Sequence, residues 1–138
     1  MVQMRVATIL LLVCLAEVFS SLGQKDDRPL PTVTGFACPK YPSDAKSMLL
    51  QGTVRMQVST DGKLVAEVKV LSGHPVLARA ATKNVQTWKF AESSPTAFAV
   101  TYVYAADEDY KRDPVTKCEA KMELPTHVTV STKFPYPN

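Results

Sequence analysis

The hydrophobic period of the chain changes near residue 73. Before it, the runs "TVRMQVS" and "KLVAEVKVL" alternate. Val54, Met56 and Val58 share one face, with Thr53, Arg55 and Gln57 on the other; Leu64, Ala66, Val68 and Val70 share a face in the second run. A period of two predicts strands, and Asp61-Gly62 between them predicts a hairpin. A two-residue loop would set Val54 against Lys69 and Met56 against Glu67. A three-residue loop, Thr60-Asp61-Gly62 with Gly62 left-handed, sets Val58 against Leu64, Met56 against Ala66, Val54 against Val68 and Arg55 against Glu67. The second register matches apolar with apolar and charge with opposite charge, so it is the predicted one.

After residue 73 the period lengthens. Gly73 breaks the strand, and Pro75 suits a first helical turn because its missing N–H costs nothing there. Leu77, Ala80, Ala81, Asn84, Val85 and Trp88 then fall on one helical stripe, with Arg79, Lys83 and Gln86 outside it. The small Ala78, Ala80 and Ala81 let such a helix lie close on a sheet, and Trp88 reads as a core anchor rather than a ligand platform. Upstream, Ser43 predicts an N-cap, Ala45, Met48 and Leu49 an apolar helical face, and Gly52 the helix end. Downstream, "AFAVTYVYA" at residues 97–105 predicts a third strand with Phe98, Val100 and Tyr102 inward. "KCEAKMEL" and "HVTVSTKF" are strand-like too; Pro125 separates them or marks a bulge in one long strand. The fold class is α+β: a small antiparallel sheet with two helices packed on one face, plus a C-terminal strand extension.

The first residues carry a different signal. Arg5, an apolar run over residues 6–16, and Ser21 and Gly23 at the −3 and −1 positions of a cut before Gln24 predict a secretory signal peptide at residues 1–23. Glu17 disfavours an uncleaved anchor, and Val13 before Cys14 is a poor lipidation site. Residues 24–40 read as an extended Pro-containing leader. The domain proper spans residues 41–134, with the strand extension from about 116. Export, to the periplasm or beyond, changes how the cysteines read. Cys14 leaves with the signal, and Cys38 and Cys118 remain as a pair in an oxidising compartment, so a disulfide is predicted.

Composition narrows the function. At 138 residues there is room for one modest core, and a net charge of +3 argues against nucleic acid and against a strongly acidic partner. "DEDYKRD" at residues 107–113 reads as a solvated loop. No stretch has the length of a membrane span, so a membrane enters only indirectly. His74 has no carboxylate or nucleophile near it in sequence, and His127 lies on the outer face of its strand. No serine sits in a nucleophile elbow, and no phosphate loop is present. Two cysteines and two distant histidines lack metal-ligand spacing. The reading is a non-enzymatic protein with no cofactor and no metal.

The stretch "YPSDAKSMLLQGTVRMQVSTDGKLVAEVKVLSGHPVLARAATKNVQTWKF" resembles the C-terminal domain of TonB, the energy transducer of Gram-negative bacteria. Tyr41-Pro42, Ala45, Gly52-x-Val54, Asp61-Gly62, "VLSGHPVL" and Trp88-x-Phe90 carry the resemblance, which makes Gly52, Asp61, Gly62, Gly73, Pro75, Trp88 and Phe90 structural residues. It covers residues 41 to about 103. It implies a small antiparallel sheet with helices on one face, and binding by strand addition: a peptide of an outer-membrane transporter pairs with the third strand. That strand is here residues 97–105, with Phe98, Val100, Tyr102 and Tyr104 as partner-binding candidates. There are departures. The leader spans at most about 50 Å, too short for the family's periplasm-crossing spacer; Glu92 stands where the family usually has Pro; and the segment from about Thr116 to Phe134 lies beyond the basic domain. Two functions follow: a periplasmic interaction module supporting TonB-dependent transport, or a secreted disulfide-stabilised structural domain that keeps the fold without energy transduction. A small-ligand or inhibitor domain is a distant third. If the third strand pairs with the run at residues 118–133 in an antiparallel return, the tail takes the edge that a transporter peptide would use.

Overall fold

The computed structural model describes residues 29–109 and 117–135. The expected signal peptide and most of the charged loop lie outside them. In chain order the elements are β1 (Val33–Gly35), α1 (Ser43–Ser47), β2 (Gly52–Thr60), β3 (Val65–Ser72), α2 (Pro75–Val85), β4 (Lys89–Phe90), β5 (Thr96–Ala106), β6 (Ala120–Glu123) and β7 (His127–Thr132). Among the described residues two sheets result: a five-stranded one in the order β3-β2-β5-β7-β6, and a two-stranded one of β1 and β4. The class is α+β, as expected, but the main sheet is mixed. β7 runs parallel to β5, and every other pairing is antiparallel.

One face of the sheet carries the core. Val54, Met56 and Val58 of β2, Val100 and Tyr102 of β5 and Val128 and Val130 of β7 are all fully buried, together with Leu77, Ala81 and Val85 of α2 and Ala45 of α1. The register stacks them in rows: Val54 beside Tyr102 and Tyr102 beside Val128, then Gly52 beside Tyr104 and Tyr104 beside Val130. Thr53, Arg55, Gln57, Ala97 and Ala99 stay exposed, which is the period-two pattern of a sheet covered on one side.

The β2–β3 hairpin corrects the predicted register. Val58 faces Val68, not Leu64, and Met56 faces Val70, not Ala66. Arg55 faces Ser72 and Glu67 faces Ser59, so their charge match is absent. The turn decides this. The Asp61 carboxylate accepts the N–H of both Lys63 and Leu64 at 2.8 Å, and the Asp61 N–H donates to the Leu64 carbonyl. These bonds hold residues 61–64 as the loop, and a bulge at Ser59/Thr60 absorbs an extra residue of β3. β3 is an edge strand with little buried surface, so apolar matching specifies its register only weakly.

The first helix also differs in detail. Pro42 holds the N-cap position and Ser43 already lies inside the helix, with no side-chain cap. The helix stops before Gly52. Leu49 turns left-handed at φ 52°, Leu50 N–H donates to the Ala45 carbonyl and Leu49 N–H to the Lys46 carbonyl, the double closure of a Schellman motif. Only Ala45 of the expected apolar face is buried; Met48 and Leu49 are more than half exposed, and Gly52 opens β2 instead.

Gly73 is needed where it stands. Its φ is +131°, and a Cβ there would lie 2.9 Å from Val54 Cγ2 and 3.0 Å from Val54 Cα, so only glycine lets the chain turn from β3 into α2 against β2. His74 caps that helix by accepting the Val76 N–H at Nδ1, 3.2 Å, and Pro75 takes the first turn. The strand-to-helix junction is thus a packing corner, with His74 spent on the cap.

Candidate functional site

The site with most bearing on function is the outer edge of β5, the third strand of the resemblance. Its hydrogen-bonding groups alternate, and Thr101 N–H and Asp107 N–H donate outward to the carbonyls of Thr126 and Thr132 at 2.8 and 2.9 Å. β7 fills that edge from Thr101 to Ala106, paired with His127 to Thr132. From Thr96 to Val100 β5 pairs with β2 alone among the described residues.

The expected tail-to-strand pairing is present, but with parallel direction rather than an antiparallel return. Pro125 lies in a turn between two strands, so the segment is a hairpin, and the hairpin must choose which strand goes inside. β7 presents Val128, Val130 and Thr132 to the core and takes the interior place, whereas β6 carries Lys121 and Glu123, paired at 3.1 Å, and takes the rim. Burying valines at the centre and leaving charge at an edge follows from the cost of each in the other place.

The hairpin is fastened at its entry. Cys118, 2% exposed, is disulfide-bonded to Cys38, with Cα atoms 5.3 Å apart and a sequence separation of 80. Cys38 sits in the leader, which is itself tied down. Ala37 donates its N–H to Thr87 Oγ1 at 3.0 Å, and its carbonyl accepts from Asn84 Nδ2 at 2.8 Å. Further upstream Val33 pairs with Phe90, so the leader enters the fold as β1. Asn84 is buried on the apolar stripe of α2, and its Oδ1 accepts the Tyr102 hydroxyl at 2.6 Å. Leader, helix, central strand and hairpin therefore meet at one node of side chains. Reading Asn84 only as part of the stripe missed its role as a link. The available signal was the amide itself, since a buried amide has to find partners.

An aromatic chain runs alongside this node. Phe98 meets Phe90, Phe90 meets Trp88, Trp88 stacks on Tyr102, Tyr102 on Tyr104, and Tyr104 meets Tyr41, with ring centres 5.5–6.5 Å apart. Tyr41 also meets Phe134, just past the hairpin, and donates its hydroxyl to the Leu50 carbonyl. Burial pushes the Tyr102 and Tyr104 hydroxyls well above the ordinary tyrosine range, so Tyr102 remains a neutral donor to Asn84. The side chains of the partner-binding candidates Phe98, Val100, Tyr102 and Tyr104 all lie in the core, the first three as the expected inward set. These four side chains are out of a partner's reach, which leaves the strand's backbone edge and its open-face residues such as Ala97 and Ala99. Asp61 and Gly62 form the β2–β3 turn, whose Gly62 and Lys63 carbonyls accept from Ser93 and Phe90. Lys63 reaches exposed Glu92 at 3.7 Å.

The order of a short helix, hairpin, second helix, Trp-x-Phe and a third strand agrees with a family model. The model for the C-terminal domain of the Gram-negative bacterial TonB protein matches residues 37–107. The chain belongs to the TonB C-terminal family. A comparison with curated proteins finds no match. The match runs from clamped Ala37 to the end of β5, and the β6–β7 hairpin lies outside it. TonB C-terminal domains are periplasmic, non-enzymatic interaction domains that bind proteins such as outer-membrane transporters. No described helix of this TonB-like domain is long and apolar enough to cross a membrane.

Proposed function

We propose that this protein is an exported TonB-like interaction domain whose peptide-accepting strand is filled by its own C-terminal hairpin, so that it does not capture transporter peptides at β5. The observation that carries the reading is the pairing of β7 along Thr101 to Ala106. A peptide added to β5 would need the same outward N–H and carbonyl groups that β7 already uses. Val128 and Val130 are fully buried, and Cys118 is bonded to the leader, so the hairpin is part of the core rather than a loose flap. In this reading the domain works in the periplasm, or outside the cell, as a disulfide-stapled module without energy transduction. The predicted signal peptide at residues 1–23 supports the compartment.

A second reading has its own observation. The outer edge of β5 from Thr96 to Val100 is not covered by β7, which leaves a short strip for a transporter peptide in support of TonB-dependent transport. An added strand there would stop against Thr126, whose carbonyl already takes Thr101 N–H.

Titration calorimetry of the oxidised protein against synthetic peptides from the N-terminal ends of outer-membrane transporters separates the two. No binding heat is expected for the intact chain. A full-length Val128→Pro variant, which removes a β7 N–H that faces β5, is expected to loosen the hairpin and admit peptide. Tight binding by the intact oxidised protein would refute the self-filled edge and restore peptide capture.

A further inference from the structure

Strands β5 and β7 are the parallel pair of the sheet, so both leave it at the same end. The two chain exits diverge, and a crevice opens between them. The carboxyl end of parallel strands is a recurrent place for ligands. The crevice holds about 660 Å³, within the range of small-molecule sites. Ala106 and Asp107 line it from one exit, and Lys133, Phe134 and Pro135 from the other. Leu49 and Gln51, in and just after the turn that ends α1, complete the lining. Leu49 is an unusual residue for its place. Its φ of 52° is the left-handed position that closes α1, where glycine is the common choice and a bulky side chain is strained. Packing inside the fold does not account for it, because Leu49 is 54% exposed and lies outside the core. It faces the crevice together with Phe134, whose ring is held edge-on against Tyr41. A strained apolar residue at the rim of a crevice points to a ligand that covers it.

The polar residues of the crevice select that ligand. Asp107 and Lys133 stand at neighbouring strand ends, where Asp107 N–H donates to the Thr132 carbonyl at 2.9 Å. Among the described residues neither side chain is in an ion pair. Asp107 Oδ1 accepts the Asp109 N–H at 2.9 Å, and the carboxylate keeps a second oxygen. Gln51 is committed to the fold, since its Oε1 accepts the Ala106 N–H at 2.8 Å. Glu108, on the same rim, is already engaged. One carboxylate and one ammonium therefore flank an apolar lining. We propose that this crevice binds a small zwitterion with an apolar body, the chemistry of a free apolar amino acid or its dipeptide. The ligand ammonium lies at Asp107, its carboxylate at Lys133, and its apolar side chain against Leu49 and Phe134. An apolar cation would bring a like charge to Lys133, and an apolar anion would bring one to Asp107. Only a ligand with both charges complements both residues. The inference goes beyond the reading of β5. It uses the hairpin as the structure has it docked, and it makes no demand on the strip from Thr96 to Val100, which is the opposite end of the strand.

Amide NMR of the oxidised protein, titrated with leucine and with leucyl-leucine, tests it. Saturable shifts are expected at Leu49, Gln51, Asp107 and Phe134, and the tighter probe tells whether amino acid or dipeptide is the better fit. Two blocked forms of that probe, one amidated at the carboxylate and one acetylated at the ammonium, are each expected to bind about tenfold or more weakly. Asp107→Asn keeps the acceptor for Asp109 and should weaken the free probe but not the acetylated one. Lys133→Met should weaken the free probe but not the amidated one. Leu49→Gly is expected to weaken every probe while the melting midpoint holds or rises, because glycine suits a φ of 52°. No saturable shift with either free probe, shifts that map away from the crevice, or blocked probes that bind as well as the free one would each overturn the proposal. So would a Leu49→Gly variant that binds as before, or one whose midpoint falls together with its affinity.

Discussion

Removing the Cys38–Cys118 bridge tests how the hairpin is held. The bridge closes a loop across 80 residues of separation. In the chain-entropy model that loop restricts the unfolded chain by about 4.5 kcal/mol at 25 °C, an upper value because denatured chains retain residual structure. The native state loses less. β7 stays paired with β5 over Thr101 to Ala106, and Val128 and Val130 stay buried. The expected result of Cys38→Ala with Cys118→Ala is therefore an unchanged native spectrum with a lower melting midpoint, by on the order of 15–20 °C at the upper value. Near-ultraviolet circular dichroism before the transition, followed by melts with and without reductant, provides both readings. Reductant should lower the wild-type midpoint toward that of the double variant and leave the variant itself unmoved. An unmoved wild-type midpoint would refute the bridge as a major constraint. A double variant that loses β6 and β7 before melting would refute the argument that strand pairing and buried valines hold the hairpin in place.

Trp88→Ala removes a fully buried ring that stacks on Tyr102 and meets Phe90, and is expected to cost about 3–5 kcal/mol in urea unfolding. An unchanged midpoint would show that the ring is not a core anchor. The Asp61 carboxyl is held below the usual carboxylate range, chiefly by the N–H groups of Leu64 and Lys63. Its contribution is then present above about pH 4, the ordinary carboxylate value, and is lost as pH falls through the lowered folded value. Urea midpoints measured from pH 6 down to pH 2 should therefore fall less steeply for Asp61→Asn than for the wild type at the acid end.

Local elements were legible because local physics decides them. The alternation in residues 53–59 and 97–105 and the helical stripe after Pro75 each follow from one covered face, and β2, β5 and α2 appear close to where those patterns end. The bridge was legible too, since the two cysteines outside a predicted export signal have each other as the simplest partner. The family was readable from the order of weak motifs around Tyr41, Asp61-Gly62 and Trp88-x-Phe90, and the matched residues 37–107 agree with it.

Pairing between distant segments was not legible in the same way. The hairpin register turned on a two-bond Asp61 turn and a bulge, on a strand whose sparse burial leaves apolar matching too weak to select the partner. Asn84 looked like a stripe residue until Ala37 and Tyr102 arrived on either side of it. Whether β7 would run parallel or antiparallel to β5 depended on which strand of the C-terminal hairpin had valines to bury and which had charges to leave at a rim. Sequence periodicity reports the faces of a strand, because side chains alternate about its own axis. The neighbours of its two edges are bound through backbone groups that every residue shares, so only the folded sheet decides that the outer edge of β5 is occupied by β7.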